Sequence, residues 1–110
     1  MKNKYIQVVT TISGKRGAEK IAKVLIDKRL AACVQIKGPI KSIYWWKGKI
    51  ETAKEWVCII KTSKGLYKKV EKIIKGIHPY EVPEIIAVSI VEGSKDYLKW
   101  LSSETIKNHG

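Results

Sequence analysis

One short segment holds the side chains that are best suited to chemistry. It reads His78-Pro79-Tyr80-Glu81-Val82-Pro83-Glu84, so an imidazole and two carboxylates lie close together in a stretch that two prolines make rigid. A neutral imidazole with nearby carboxylates suits Cu(II), Zn(II) or Ni(II), and Cu(II) is bound most tightly in the usual order. His78, Tyr80, Glu81 and Glu84 thus supply nitrogen and oxygen donors that suit a divalent metal site.

A single histidine makes a weak metal site, so the other ligands would have to come from elsewhere in the fold or from a neighbouring chain. The same segment has a plain alternative interpretation. His78-Pro79 ends a helical pattern, because the residue before a proline avoids the helical region, and the rest then forms a turn into the next strand. Composition leaves both interpretations open.

Catalytic signatures are absent from the sequence. It contains no CxxC, HExxH, GxSxG or GxGxxG motif, and Gly14-Lys15 lacks the other residues of a phosphate-binding loop. The second histidine, His109, lies far from the first. Cys33 and Cys58 lie in apolar strand patterns, where a buried and inert thiol is the common outcome. We predict no catalytic residue and a protein that is not an enzyme.

Two periodicities define the elements that must position these side chains. Extended, β-branched patterns predict strands at residues 5–11, 30–36, 40–46, 50–62 and 85–91; helical spacing predicts helices at 15–28 and 64–77, and a short one after Ser94. With right-handed crossovers, this βαββαβ order places both main helices on one face of an antiparallel sheet. We predict an α+β, ferredoxin-like fold with a long central β-hairpin and a short C-terminal helix. Since no linker or repeat divides the chain, we predict one domain over residues 1–110.

Local signals add detail to this layout. Ser63 and Ser94 stand where N-caps of the second and third helices are expected. The run at 85–91 is almost continuously apolar, which predicts a strand that is central or covered on both faces.

The hairpin pattern also places the two cysteines. If Lys47-Gly48 forms the tip, residue 46 faces residue 49, and Cys33 faces Thr62. Cys58 then lies four residues away from that position, about 13 Å along the strand. This separation is too large for a disulfide unless a bulge intervenes. We predict reduced thiols, as in the cytoplasm.

The length of the hairpin predicts self-association. An extended chain from Leu30 to Trp46 would span about 55 Å, whereas a compact domain of this size is about 35 Å across. The ribbon must therefore bend at Gly38-Pro39 or project beyond its own core. Its far end carries Tyr44, Trp45 and Trp46, which would form an exposed apolar patch in a monomer. We predict a closed ring of identical chains.

The formal net charge of +12 requires polyanions to be considered as partners. The charge is almost entirely lysine, which suits a solvated surface better than specific phosphate recognition. An RNA-binding sheet would also show stacking aromatics on a central strand, but the segment 55–60 is mostly aliphatic. The pattern disfavours nucleic acid. No apolar run approaches the length of about 20 residues that a membrane span needs, so we predict a cytoplasmic protein.

Several segments, taken together and in order, resemble the CutA divalent-cation-tolerance family. They are Val9-Thr10-Thr11, Arg29-Leu30-Ala31-Ala32-Cys33-Val34, Ser42-Ile43-Tyr44-Trp45-Trp46-Lys47-Gly48-Lys49-Ile50, Lys61-Thr62, His78-Pro79-Tyr80-Glu81-Val82-Pro83-Glu84-Ile85 and Tyr97-Leu98-Lys99-Trp100. The resemblance implies a cytoplasmic homotrimer held by long β-ribbons and linked to tolerance of copper and other divalent metal ions. It implies no established enzyme activity.

The family's metal site matches this sequence only in part. Some bacterial members place a cysteine where Thr10 stands and two adjacent histidines where Ile77 and His78 stand, so one of three implied ligands is present here. We therefore predict His78 as the metal ligand that is kept, with Glu84 or a neighbouring chain supplying further donors. The resemblance also leads us to expect Lys61 and Tyr80 in one cleft between subunits. The alternative function is a non-catalytic trimeric signalling or small-ligand-binding protein that uses such clefts.

Overall fold

The computed structural model describes residues 4–107, so His109 lies outside the described part. In chain order the elements are β1 Tyr5–Ile12, α1 Lys15–Asp27, β2 Cys33–Trp46, β3 Lys49–Ser63, a 3-10 turn Lys64–Leu66, α2 Tyr67–Ile77, β4 Ile85–Ser89 and α3 Lys95–Ser103. The four strands form one antiparallel sheet in the order β2-β3-β1-β4. The predicted α+β, ferredoxin-like layout is confirmed.

The core lies between the sheet and the two longer helices. Alternate residues of β1, including Ile6 and Val8, are buried with the apolar stripes of α1 and α2. Those stripes follow helical spacing and consist of Ala18, Ile21 and Leu25 in α1 and Val70 and Ile74 in α2. Full burial of each larger aliphatic side chain contributes about 1.5–3 kcal/mol, so this face fixes the sheet against the helices.

One of the two predicted caps is wrong. Ser63 makes no side-chain capping hydrogen bond, and α2 begins only at Tyr67, after the 3-10 turn. The reason is that Ser63 still belongs to β3 and pairs with Tyr5. Ser94 does cap α3, since its Oγ accepts a hydrogen bond from the Tyr97 amide at 3.1 Å.

The apolar run at 85–91 predicts a strand that is central or covered on both faces, and both alternatives are wrong for the described chain. β4 lies at the edge of the sheet and pairs with β1, and the side chains of Ile86 and Val88 are about half exposed, at 50% and 51%. An apolar run indicates that the surface of a strand will be buried. It does not indicate whether the same chain or a second chain buries it. Among residues 4–107, no strand pairs with the outer edge of β4.

The hairpin register is as predicted near the tip and shifts by one residue beyond it. Trp46 pairs with Lys49, but an irregularity between Lys37 and Ile40 makes Cys33 pair with Lys61 instead of the expected Thr62. Pro39 in this stretch has no N–H to donate to the ladder, which favours a bulge there. Since strand neighbours alternate faces, Cys33 and Cys58 lie on opposite faces of the sheet. Both thiols are free.

The ribbon formed by the distal halves of β2 and β3 extends away from the core. The molecule measures 44 Å along its longest axis and 26 by 25 Å across the others. On one face of this ribbon Ile43, Trp45 and Ile50 are largely exposed, with Trp45 at 71%. Among residues 4–107, no helix has the length and apolar character needed to cross a membrane.

Candidate functional site

His78 follows directly after α2 and is buried, with 8% of its surface exposed. Its Nδ1 lies 3.2 Å from the Tyr80 amide nitrogen, which can only donate, so Nδ1 accepts that hydrogen bond. Its Nε2 lies 2.7 Å from the Thr11 carbonyl oxygen, which can only accept. The ring is therefore neutral with its proton on Nε2, and both nitrogens are engaged within the chain.

Tyr80 joins this histidine to the ribbon. Its ring packs edge-on against His78, with 4.5 Å between the ring centroids, and its hydroxyl donates to Glu55 Oε2 at 2.7 Å. Burial, together with the smaller effect of the hydrogen bond to Glu55, raises the pKa of Tyr80 to about 12. The hydroxyl therefore stays protonated at neutral pH and remains a donor.

Glu55 is the site residue that sequence reasoning missed. It lies on β3 opposite Ile40, immediately beyond the bulge, and only 5% of it is exposed. Its second carboxylate oxygen, Oε1, accepts a hydrogen bond from Ser42 Oγ at 2.6 Å. The available signal was its alternation with Val57 and Ile59, because a charged residue in an apolar stripe needs partners when it is buried.

A cavity of about 820 Å³ opens beside this network. Its walls come from the ribbon, from the end of β1 and from the loop before β4. The lining residues are Thr11, Ser42, Ile43, Tyr44, Trp45, Trp46, Glu55, Tyr80, Glu81, Val82, Pro83 and Glu84. Three of them are glutamates, four are aromatic, and none of these described residues is basic. The cavity therefore combines negative charge with aromatic surface, in a chain whose net charge is +12.

The structure brings some of the predicted site residues together and separates others. Glu84 and Tyr80 line the cavity, and His78 touches it indirectly through Tyr80. Lys61 lies elsewhere, with its Nζ 5.7 Å from the centroid of the Tyr97 ring on α3. A single chain therefore does not place Lys61 and Tyr80 in one cleft.

The two positions that depart from the family's metal ligands lie towards the core. Thr10 is fully buried and its hydroxyl has no hydrogen-bond partner within the described residues, while Ile77 packs against the main core cluster. No group of three or more His, Cys, Asp or Glu side chains placed to hold a metal ion occurs within residues 4–107. Metal binding through His78 and Glu84 stays a prediction.

Comparison with known proteins shows that the chain is similar to members of one protein family. A family model described as CutA1 divalent ion tolerance protein matches residues 6–104. The chain is 43% identical to the divalent-cation tolerance protein CutA of Pyrococcus horikoshii over 102 residues, which cover 93% of this chain and 99% of that protein.

Solved structures agree with the sequence match. The divalent cation tolerance protein of Thermus thermophilus superposes with a TM-score of 0.90 at 40% identity, covering 92% of this chain and 98% of that one. The CutA1 structure from Oryza sativa gives a TM-score of 0.92 at 39% identity, covering 96% and 97%. The chain therefore belongs to the CutA1 divalent ion tolerance protein family.

Proposed function

We propose that this protein is a homotrimeric, cytoplasmic divalent-cation-tolerance protein that binds copper or another divalent metal ion and acts in the response to metal ions. The observation that supports this best is the position of Glu81 and Glu84. Both carboxylates line a cavity whose other wall is the exposed aromatic ribbon, so a neighbouring chain that covers the ribbon would bring further donors to the same place. The matched relatives are named as tolerance proteins, and we propose a non-catalytic role.

Two different uncovered surfaces support self-association. One is the ribbon face with Ile43, Trp45 and Ile50, and the other is the open edge of β4 with Ile86 and Val88. Unpaired strand edges and apolar patches of this kind favour pairing with another chain. A contact between two unlike surfaces repeats from chain to chain and closes into a ring when the rotation allows it. Three chains are what the family resemblance implies.

The metal proposal assigns His78 and Glu84 as ligands from one chain. Glu84 is exposed at the cavity wall and free to turn towards an ion. His78 would have to release the Thr11 carbonyl or the Tyr80 amide before one of its nitrogens could bind metal. A complete site would then take its remaining donors from the adjacent chain, since such ions prefer several nitrogen or oxygen ligands.

Calorimetric titration of Cu(II) and Zn(II) at fixed pH tests this function. The wild type, Glu84→Gln and His78→Ala are compared, with Glu92→Gln as the control because Glu92 is an exposed glutamate outside the cavity. We expect the wild type to bind Cu(II) with micromolar or tighter affinity. In both site variants the loss of one ligand is expected to raise Kd at least about tenfold, which is about 1.4 kcal/mol of binding free energy. Binding weaker than millimolar, or equal in all four proteins, would contradict a direct role in metal capture.

The cellular location is tested separately by fractionation. Free thiols at Cys33 and Cys58 support the cytoplasm, whereas a solved structure from Archaeoglobus fulgidus is described as a periplasmic divalent cation tolerance protein. Recovery of this protein with cytoplasmic markers is the expected result, and recovery outside the cytoplasmic membrane would overturn the proposal.

The size of the cavity supports a second candidate, a small-ligand-binding or signalling trimer. A volume of about 820 Å³ is far more than a metal ion occupies, and it falls within the range of about 300–1,000 Å³ that is usual for small-molecule pockets.

A further inference from the structure

Glu55 is a buried carboxylate with no cationic partner in the described part of the chain. Both of its hydrogen bonds come from neutral hydroxyls, those of Ser42 and Tyr80. The ion pairs found among residues 4–107 join Lys23 to Asp27 and Arg29 to Glu104, so neither involves it. Burying a carboxylate without a compensating positive charge is costly. The negative charge of Glu55 is therefore left for a cation from outside the chain to balance.

The surroundings of Glu55 also favour positive charge. Glu81 and Glu84 line the same cavity, and so do four aromatic residues; aromatic rings attract cations electrostatically. Lysines are spread over the rest of the chain but do not line this cavity within the described residues. Because the lining contains three glutamates and none of its described residues is basic, an anionic ligand is disfavoured here.

The rest of the lining indicates that the cation has an organic body. Val82 and Pro83 contribute apolar wall to the cavity, as do the rings of Tyr44 and Trp46. Such a wall gains nothing from a hydrated metal ion, but it gains buried apolar contact from a methylene chain. A primary ammonium group offers three N–H donors, which suits a group of carboxylates.

We propose that this cavity binds a small aliphatic amine, with its ammonium group at Glu55 and its methylene chain against the aromatic wall. The proposal uses the cavity of the small-ligand alternative and does not depend on metal binding. Glu55 and Glu81 are the residues that confer selectivity for the charged group, and Tyr80 positions the Glu55 carboxylate through its hydrogen bond.

Titration of butylamine and putrescine into the assembled protein tests the proposal, followed by calorimetry and by tryptophan fluorescence, with a metal chelator present throughout. Butanol is the uncharged control ligand, and Glu92→Gln is the control variant. We expect binding of both amines, no binding of butanol, and a loss of at least about tenfold in Glu55→Gln, as for removal of one charged hydrogen bond. Glu81→Gln, an exposed position, is expected to weaken binding in the same direction and serves if Glu55→Gln does not fold.

Three results would overturn the proposal. The first is no amine binding at millimolar concentration, which is expected if a lysine of a second copy already fills the cavity. The second is equal binding of butanol and butylamine, and the third is unchanged binding in both glutamate variants. Because the chelator removes metal, amine binding with a silent Cu(II) titration would contradict the metal function alone. The opposite pattern would contradict the amine site alone.

Discussion

At the scale of single residues, the hydroxyl of Thr10 is a polar group buried in an apolar core. It is fully buried and has no partner among the described residues. Thr62 offers a matched comparison, since it is equally buried but donates from Oγ1 to the Leu30 carbonyl oxygen at 2.6 Å. The same substitution at the two positions therefore separates an unpaired hydroxyl from a paired one.

We expect Thr10→Val to raise the free energy of unfolding by about 1 kcal/mol, because the change replaces an unsatisfied hydroxyl by a methyl group of similar shape. Thr62→Val is expected to lower the same free energy by about 1–2 kcal/mol, because the Leu30 carbonyl loses its donor. Urea unfolding at one fixed protein concentration measures both. A loss of stability in Thr10→Val equal to that in Thr62→Val would refute the assignment of the Thr10 hydroxyl as a group without a hydrogen-bond partner among the described residues.

Tyr80 gives a prediction about alkaline pH. Its pKa is raised from 10.0 to about 12 in the folded chain, so between these values the folded state keeps a proton that the unfolded state has lost. The free energy of unfolding must then fall as the pH rises through this window. Cys58 acts in the same direction at lower pH, since burial raises its pKa from 9.0 to about 11.

Tyr80→Phe removes the tyrosine contribution, so its stability is expected to fall less steeply than that of the wild type between about pH 10 and 12. Thermal unfolding across this range measures the difference, and Tyr5→Phe is the control for loss of a tyrosine outside the Glu55 network. Identical slopes in the wild type and Tyr80→Phe would show that burial and the Glu55 hydrogen bond do not raise the pKa of Tyr80 in the folded chain.

At the scale of elements, the backbone at the end of α1 favours glycine at position 29, whereas the side-chain contacts of Arg29 favour arginine. The Leu30 amide bonds the Leu25 carbonyl and the Arg29 amide bonds the Ile26 carbonyl, which is the Schellman arrangement. Arg29 adopts φ 55°, a left-handed conformation that glycine favours. Its guanidinium, however, donates to the backbone carbonyl and the Oε1 of Glu104 at 3.2 and 3.1 Å.

We expect Arg29→Ala to be less stable than Arg29→Gly by about 1 kcal/mol, because both lose the contacts to Glu104 but only glycine relieves the left-handed conformation. Thermal unfolding of the two variants against the wild type measures this order. If alanine proved as stable as glycine, the backbone conformation at this helix end would have to be different.

At the scale of the whole molecule, the open edge of β4 predicts how the chains assemble. Ile86→Lys places a charge at this half-exposed edge and is expected to shift the assembly towards single chains, because the charge would be buried without a partner at the interface. Ile26→Lys is the control, since Ile26 is also exposed, at 41%, but lies on α1 and not on β4.

Sedimentation equilibrium at micromolar concentration measures the mass of each variant. The wild type and Ile26→Lys are expected at three times the chain mass of 12.5 kDa, and Ile86→Lys at a lower value. A wild type that sediments as a single chain would contradict the trimer itself. Dissociation of both variants would contradict the choice of β4 as the contact edge.

The sequence by itself determined the order of the elements, the tip of the hairpin at Lys47-Gly48 and the cap at Ser94. Each depends on residues close together in the chain: the apolar period of a strand or helix, the two positive φ angles of a tight turn, and a hydroxyl three residues from its amide. The His78–Glu84 segment was also recognised locally, from the residue types that it brings together.

Only the tertiary structure decided what surrounds that segment. The one-residue shift beyond Gly38-Pro39 and the edge position of β4 depend on strand pairing, and the burial of Glu55 depends on Tyr80, which lies 25 residues further along the chain. Periodicity describes each segment alone, whereas these features come from contacts between distant segments. The acidic, aromatic cavity therefore exists only once the ribbon and the loop before β4 have been folded against each other.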